Sequence, residues 1–254
     1  MSMSSTLGSQ SVALRLATQL VCRVRRLKID GLEHVPRRGQ ALVVANHNSP
    51  MDFFYALALM KRLQRDDFRL VVAAELLDRR RFRPYVHAAI EAEVERLAPY
   101  AGLLAGILTA IVPPVFRRLH PIPVLREGDD SESRSLSLEC LLQGELVVIA
   151  PGTGNRNHRN ASGMRPLTYG VASIARRYFE AARQSLAVVP LAIRSPARGV
   201  MSKVTLVVGQ PFRGMCDQCY PQLFASGGEV PEAVKHRAYQ LYTLELTGRL
   251  MDLL

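Results

Sequence analysis

A single α/β domain, built on a mixed and mostly parallel central sheet flanked by helices, is the fold the sequence predicts. Three observations predict it. Short runs rich in branched apolar residues, such as Ala41–Ala45 and Glu145–Ala150, alternate with segments of helical period along the chain. No repeat, low-complexity tract or linker divides that alternation. The length of 254 residues, with 48% apolar, suffices for one large packed core.

From Val12 the chain is amphipathic: Val12, Leu16, Leu20 and Val24 recur every fourth residue, with Arg15, Arg23, Arg25 and Arg26 supplying positive charge. Residues 1–26 are expected to form an N-terminal amphipathic helix able to lie on an anionic bilayer or to pack on its own domain. Residues 27–254 then form the main domain. Leu27–Ile29 and Ala41–Ala45 read as strands separated by the turn residues Asp30-Gly31 and Pro36–Gly39. Ser49-Pro50 signals a helix start, and Phe53–Leu63 continues it.

Arg69–Ala74 fits a strand, the Arg79–Arg83 run a solvated or binding face, and Val86–Leu97 and Tyr100–Phe116 two helices. Pro121–Leu125 is a buried-strand candidate. Gly128–Ser131 opens a helix running to about Leu142, and Glu145–Ala150 is a strand entering the turn-rich loop Pro151–Arg156. A helix over Leu167–Ala182, strands over Leu186–Ile193 and Val204–Val208, and a helix over Glu232–Leu253 complete the chain.

Thirty-three Lys plus Arg against 22 Asp plus Glu leave a net charge of +11, which favours nucleic acid, anionic lipid or phosphorylated ligands. Nucleic acid is not expected, because complete zinc-finger ligands and aromatic-rich RNA motifs are missing and aromatics are 6%. Cys22, Cys140, Cys216 and Cys219 form no disulfide framework, so a reducing, intracellular compartment is expected. The first ten residues lack the basic start of a secretory signal. Cys216 and Cys219 lack the further ligands a structural zinc needs, so no metal is expected. Gly102–Val112 is too short to cross hydrocarbon and reads as a buried core helix or an interfacial one.

His47 and Asp52 form the sharpest candidate pair. On one continuous helix, five positions would separate them by roughly 140°. Ser49-Pro50 breaks the segment, so His47 at a strand end and Asp52 in a first helical turn can meet as base and orienting carboxylate. The same Ser-Pro-Met-Asp run also reads as an ordinary helix cap with an acid near the dipole's positive end.

Asn46-His47 followed by Asp52 resembles the NHxxxxD motif of the glycerolipid acyltransferases, the lysophosphatidate and glycerol-3-phosphate acyltransferase superfamily. Leu27–Pro36 with Ala41–His47 is similar to the family's strand, glycine, proline and strand leading to that motif. Pro121–Arg126 resembles the second motif, Tyr169–Ala172 the helix after the third, Val188–Ile193 the fourth, and Val204–Phe212 the late strand ending in Gly-x-Pro. The resemblance runs in the family's order over about residues 27–252. The third motif departs: where the family has FPEGTRS, the chain reads Ile149-Ala150-Pro151-Gly152-Thr153-Gly154-Asn155, nearer the IAPSGGR form of soluble plant-type enzymes.

The resemblance implies a glycerol-3-phosphate acyltransferase-like fold and direct acyl transfer. His47 would take the proton of an acceptor hydroxyl, Asp52 would steady the imidazolium, and Arg126 would hold an acceptor phosphate. Gly152, Thr153, Gly154 and Arg156 would add anion contacts through backbone N–H groups and a guanidinium. It further implies an acyl-CoA or acyl carrier protein donor, no cofactor, a phosphorylated glycerol or lysolipid acceptor, and peripheral attachment to an anionic membrane at its cytoplasmic face. A lysophosphatidic acid-type acceptor is expected first. Glycerol-3-phosphate or another lysolipid at an altered acceptor site, or a catalytically silent lipid-binding relative, is the alternative.

Overall fold

A computed structural model describes residues 12–46, 52–93, 99–125, 130–151, 164, 166–194, 203–224 and 230–254. The strands are β1 (Lys28–Asp30), β2 (Ala41–Ala45), β3 (Phe68–Ala73), β4 (Ile122–Val124), β5 (Leu146–Ile149), β6 (Val188–Arg194) and β7 (Thr205–Val208). The principal helices are α1 (Val12–Val24), α2 (Asp52–Leu63), α3 (Arg79–Glu93), α4 (Ala101–Arg117), α5 (Ser131–Leu142), α6 (Gly170–Ala182), α7 (Pro221–Phe224) and α8 (Glu232–Asp252).

The seven strands lie in the order β1-β7-β6-β2-β5-β3-β4. Every neighbouring pair is parallel except β6 with β7. Five strands therefore run one way, and β1 and β7 run the other.

β2 sits at the middle and is buried on both faces, which is why its sequence is apolar without alternation. Its side chains still alternate in direction. Ala41, Val43 and Ala45 face a core layer shared with Leu14 of α1, Tyr55, Leu59 and Met60 of α2, and Phe116 of α4. Leu42 and Val44 face the opposite layer, made with Leu141 of α5, Ile174 of α6 and Tyr242 and Leu246 of α8. The sheet is thus covered on both sides, as parallel sheets require.

Three helices differ from the sequence reading, α6 in beginning at Gly170 and not at Leu167. α3 begins at Arg79, seven residues before the predicted Val86, because Asp78 caps it: the Asp78 carboxylate accepts the Arg80 N–H at 2.8 Å. Pro84 then lies inside the helix, where it forgoes one backbone hydrogen bond but leaves the helix continuous. The short helix α7 was not predicted, since four residues are too few for a period to show.

Candidate functional site

The parallel strands set where a site can form. Open α/β sheets bind ligands beyond the carboxyl ends of their strands, where the loops emerge. β2, β5, β3 and β4 are consecutive neighbours running the same way, so their carboxyl ends share one edge. Val44 pairs with Ile149, and Ala73 with Val124. The chain therefore leaves this edge at Asn46 after β2, at Pro151 after β5 and at Leu125 after β4. Three inter-strand steps separate β2 from β4, about 14 Å at ~4.8 Å each.

His47, Arg126, Gly152, Thr153, Gly154 and Arg156 lie outside the described residues. Each follows one of those three exits within a few residues of chain. Asp52 is described: it is the first residue of α2 and is buried. A carboxylate there faces the positive end of the helix dipole.

Asn46, the last described residue before His47, is fixed from two sides. Its N–H donates to the Leu191 carbonyl at 3.4 Å. Its side chain then exchanges two hydrogen bonds with one residue of β6: Oδ1 accepts from the Ile193 N–H at 2.7 Å, and Nδ2 donates to the Ile193 carbonyl at 3.3 Å. Both residues are 3% exposed. A side chain has replaced the backbone in the β2–β6 ladder, and sequence reasoning gave Asn46 no such role. Its signal was only a polar residue closing an apolar strand.

α2 is held just as firmly at its start. Phe53 stacks on Phe116 of α4 with ring centroids 4.0 Å apart and planes at 26°. Three residues on from Asp52, and so on the same side of α2, Tyr55 is fully buried. Burial pushes the Tyr55 phenol above its ordinary value; the nearby Arg25 guanidinium pulls it down and the Asp52 carboxylate pushes it up. Tyr55 therefore stays a neutral phenol at physiological pH, in a neighbourhood shared by a buried acid from α2 and an arginine that follows α1. The sequence reading gives Tyr55 no role, although its three-residue spacing from Asp52 is visible, and gives Arg25 only a share in the positive charge of the N-terminal helix.

At the opposite sheet edge, Gly31 lets the chain turn after β1. Its φ of +76° is left-handed, and a Cβ there would stand 2.2 Å from the Val208 carbonyl oxygen. The His34 ring meets the same oxygen through Nδ1 at 2.8 Å. Cys216 and Cys219 are free thiols, and among the described residues no three His, Cys, Asp or Glu side chains gather as metal ligands. Among the described residues, no helix is long and apolar enough to cross a membrane.

The acyltransferase family model matches residues 26–194. No curated protein matches the chain. Among solved structures, the chain is similar to the crystal structure of the 1-acyl-sn-glycerophosphate (LPA) acyltransferase PlsC from Thermotoga maritima. The two share 13% identity over 93% of this chain and 81% of that one, with a TM-score of 0.42.

Proposed function

From the premise that the chain belongs to the acyltransferase family, we propose that it moves a fatty acyl group from a thioester to the hydroxyl of a lysophosphatidic acid-type acceptor. The observation that carries this reading is the shared carboxyl edge of β2, β5 and β4, where the chain exits toward all three candidate loops. An imidazole, a phosphate-holding arginine and a glycine-rich turn need a common cleft to act together, and one edge of a parallel sheet supplies it.

In the proposed reaction, His47 accepts the proton of the acceptor hydroxyl as its oxygen attacks the thioester carbonyl. The tetrahedral intermediate collapses with loss of the thiolate, which takes that proton back from the imidazolium. Asp52, buried at the start of α2, holds the imidazole in its useful tautomer and offsets the transient charge. Arg126 grips the acceptor phosphate as a bidentate partner, presenting the hydroxyl. Backbone N–H groups of Gly152 to Gly154, the Thr153 side chain and Arg156 replace the glutamate and arginine that the family's third motif carries there. The donor is acyl-CoA or acyl carrier protein, no cofactor takes part, and the protein works as a peripheral protein at the cytoplasmic face of an anionic membrane.

Thiol release from acyl-CoA against lysophosphatidic acid, glycerol-3-phosphate and unphosphorylated lysolipids tests the reading, with products identified by mass. His47→Ala should abolish release, and Asp52→Asn should lower kcat by at least about a hundredfold. Arg126→Ala should raise KM for phosphorylated acceptors above all. Near-normal turnover in His47→Ala would sink the proposal. Tight lysolipid binding without thiol release in the wild type would identify a silent lipid-binding relative instead.

A further inference from the structure

Surface helices ordinarily turn a polar face to water. α4 does not: from Ala101 to Phe116 it contains no charged residue at all. Its inner side buries Ala101, Ala105, Pro113 and Phe116. Its outer side exposes Leu103, Ile107 and Ile111, at 67%, 48% and 53%. Spaced four apart, these three form one stripe, and exposed Tyr100 extends it at the amino end. Of the sequence-level readings for this segment, a core helix is excluded on that side.

The stripe has a charged border. α3 packs along α4, and the Arg117 side chain donates to the Leu77 carbonyl at 2.7 Å, which sets the end of α4 beside the start of α3. The two helices are therefore antiparallel. Arg79, Arg80, Arg81 and Arg83 of α3 then share one end of the hairpin with Arg117 and Arg118, and all six are exposed. Arg79–Ile90 and Ala101–Pro121 contain no Asp or Glu. Two of the acids that flank them are engaged: Asp78 caps α3 and Glu91 pairs with His87 at 3.2 Å.

We infer that this hairpin is the surface on which the protein seats on an anionic bilayer, with Leu103, Ile107 and Ile111 entering the acyl boundary and the six arginines meeting lipid phosphates. The inference rests on the proposed lipid-acylating function and adds to it the place of contact. An anionic bilayer is the occupant that offers apolar interior and negative charge side by side, complementing both halves of the surface. Seventeen residues of helix measure about 26 Å at ~1.5 Å each. That is short of the ~30 Å of hydrocarbon, so α4 lies in the interface and does not cross it.

Co-sedimentation with phosphatidylcholine vesicles, and with the same vesicles containing phosphatidylglycerol, tests the inference without any acyl substrate. Wild type should prefer the anionic vesicles at least about tenfold at low salt, losing that preference as salt rises. Arg79→Gln with Arg80→Gln should weaken anionic binding by about fivefold per charge removed. Leu103→Gln with Ile107→Gln should weaken binding to both kinds of vesicle at least about tenfold. These positions are exposed, so unchanged thermal unfolding should accompany the loss. Wild-type binding by the stripe variant, or equal partitioning of the wild type on the two vesicles, would overturn the inference. So would a dimer that the stripe variant dissolves, which would make a second copy the occupant, or binding abolished only by Leu16→Gln with Leu20→Gln on α1. His47→Ala should bind vesicles as wild type does, so failure of the catalytic reading and failure of this one register in different assays.

Discussion

Asn46 and Ile193 are joined by two hydrogen bonds between one side chain and one backbone, at the point where β2 ends. The amide of Asn46 supplies the donor and acceptor that a continuing strand would have supplied. One residue later the chain reaches His47. The end of the central strand is thus locked to β6 immediately before the candidate base.

Removing that lock should be costly. Asn46→Ala removes the buried Oδ1 to which the Ile193 N–H donates, a loss of about 1–3 kcal/mol by urea unfolding. Asn46→Asp keeps the acceptor but turns a carboxylate oxygen toward the Ile193 carbonyl, and should be at least as destabilised at neutral pH. A change below about 0.5 kcal/mol in Asn46→Ala would show that the lock contributes nothing.

Gly31 and Gly39 make a matched comparison. Both are left-handed, at φ +76° and +77°, but a Cβ on Gly31 would collide with the Val208 carbonyl while one on Gly39 would meet nothing within 4 Å. Gly39→Ala should cost only the backbone strain of about 1–2 kcal/mol. Gly31→Ala should cost visibly more, because the atom in its way is backbone of β7, whose neighbour is β1. Equal midpoints in denaturant for the two variants would refute the collision.

Arg69 and Glu145 form a bidentate pair at 2.8 and 3.1 Å, joining β3 to the start of β5. The Glu145 side chain is 4% exposed. Arg69→Met alone should lose about 3–5 kcal/mol, since it strands a buried carboxylate. Adding Glu145→Leu to Arg69→Met should recover most of that loss by removing the stranded charge. If the double variant is no more stable than the single one, the pair is not coupled as the geometry indicates.

Cys140 lies beside that pair, and burial, reinforced by the Glu145 carboxylate, pushes its thiol up from an ordinary 9.0 to about 11. The native protein therefore keeps this proton where the unfolded chain releases it. The contribution to stability is full below pH 9, declines as pH climbs from there, and is gone above about 11. Cys140→Ala should flatten the fall in stability over that interval. Native Cys140 should also resist iodoacetamide at pH 9, where a denatured control reacts quickly. Equal alkylation rates in the two states would contradict the shift.

Much of this was legible in the residues themselves. Ala41–Ala45 reads as a strand because a central parallel strand is apolar on both faces, and its short length and the turn residues before it favour a strand over a buried helix. The Ser49-Pro50 signal in the sequence predicts a helix start there, and α2 is described from Asp52 onward. The apolar period points to a start for α3 at Val86, seven residues late, because the arginine run carries no such period and the start is set by the cap at Asp78. The exposure of Leu103, Ile107 and Ile111 could not be read at all: a helix apolar on every side carries no sign of which side faces in.

By itself the sequence determined the alternation of strands and helices, the covered central strand and the order of the candidate motifs, since these depend on neighbours along the chain. Only the tertiary structure decided that β2, β5 and β4 open on one edge, that Asn46 is held by Ile193, and that a helix uncharged from Ala101 to Phe116 shows water its apolar stripe at a hairpin that carries six exposed arginines. Strand order and helix facing are set by contacts between residues far apart in the chain, and local periodicity holds no record of them.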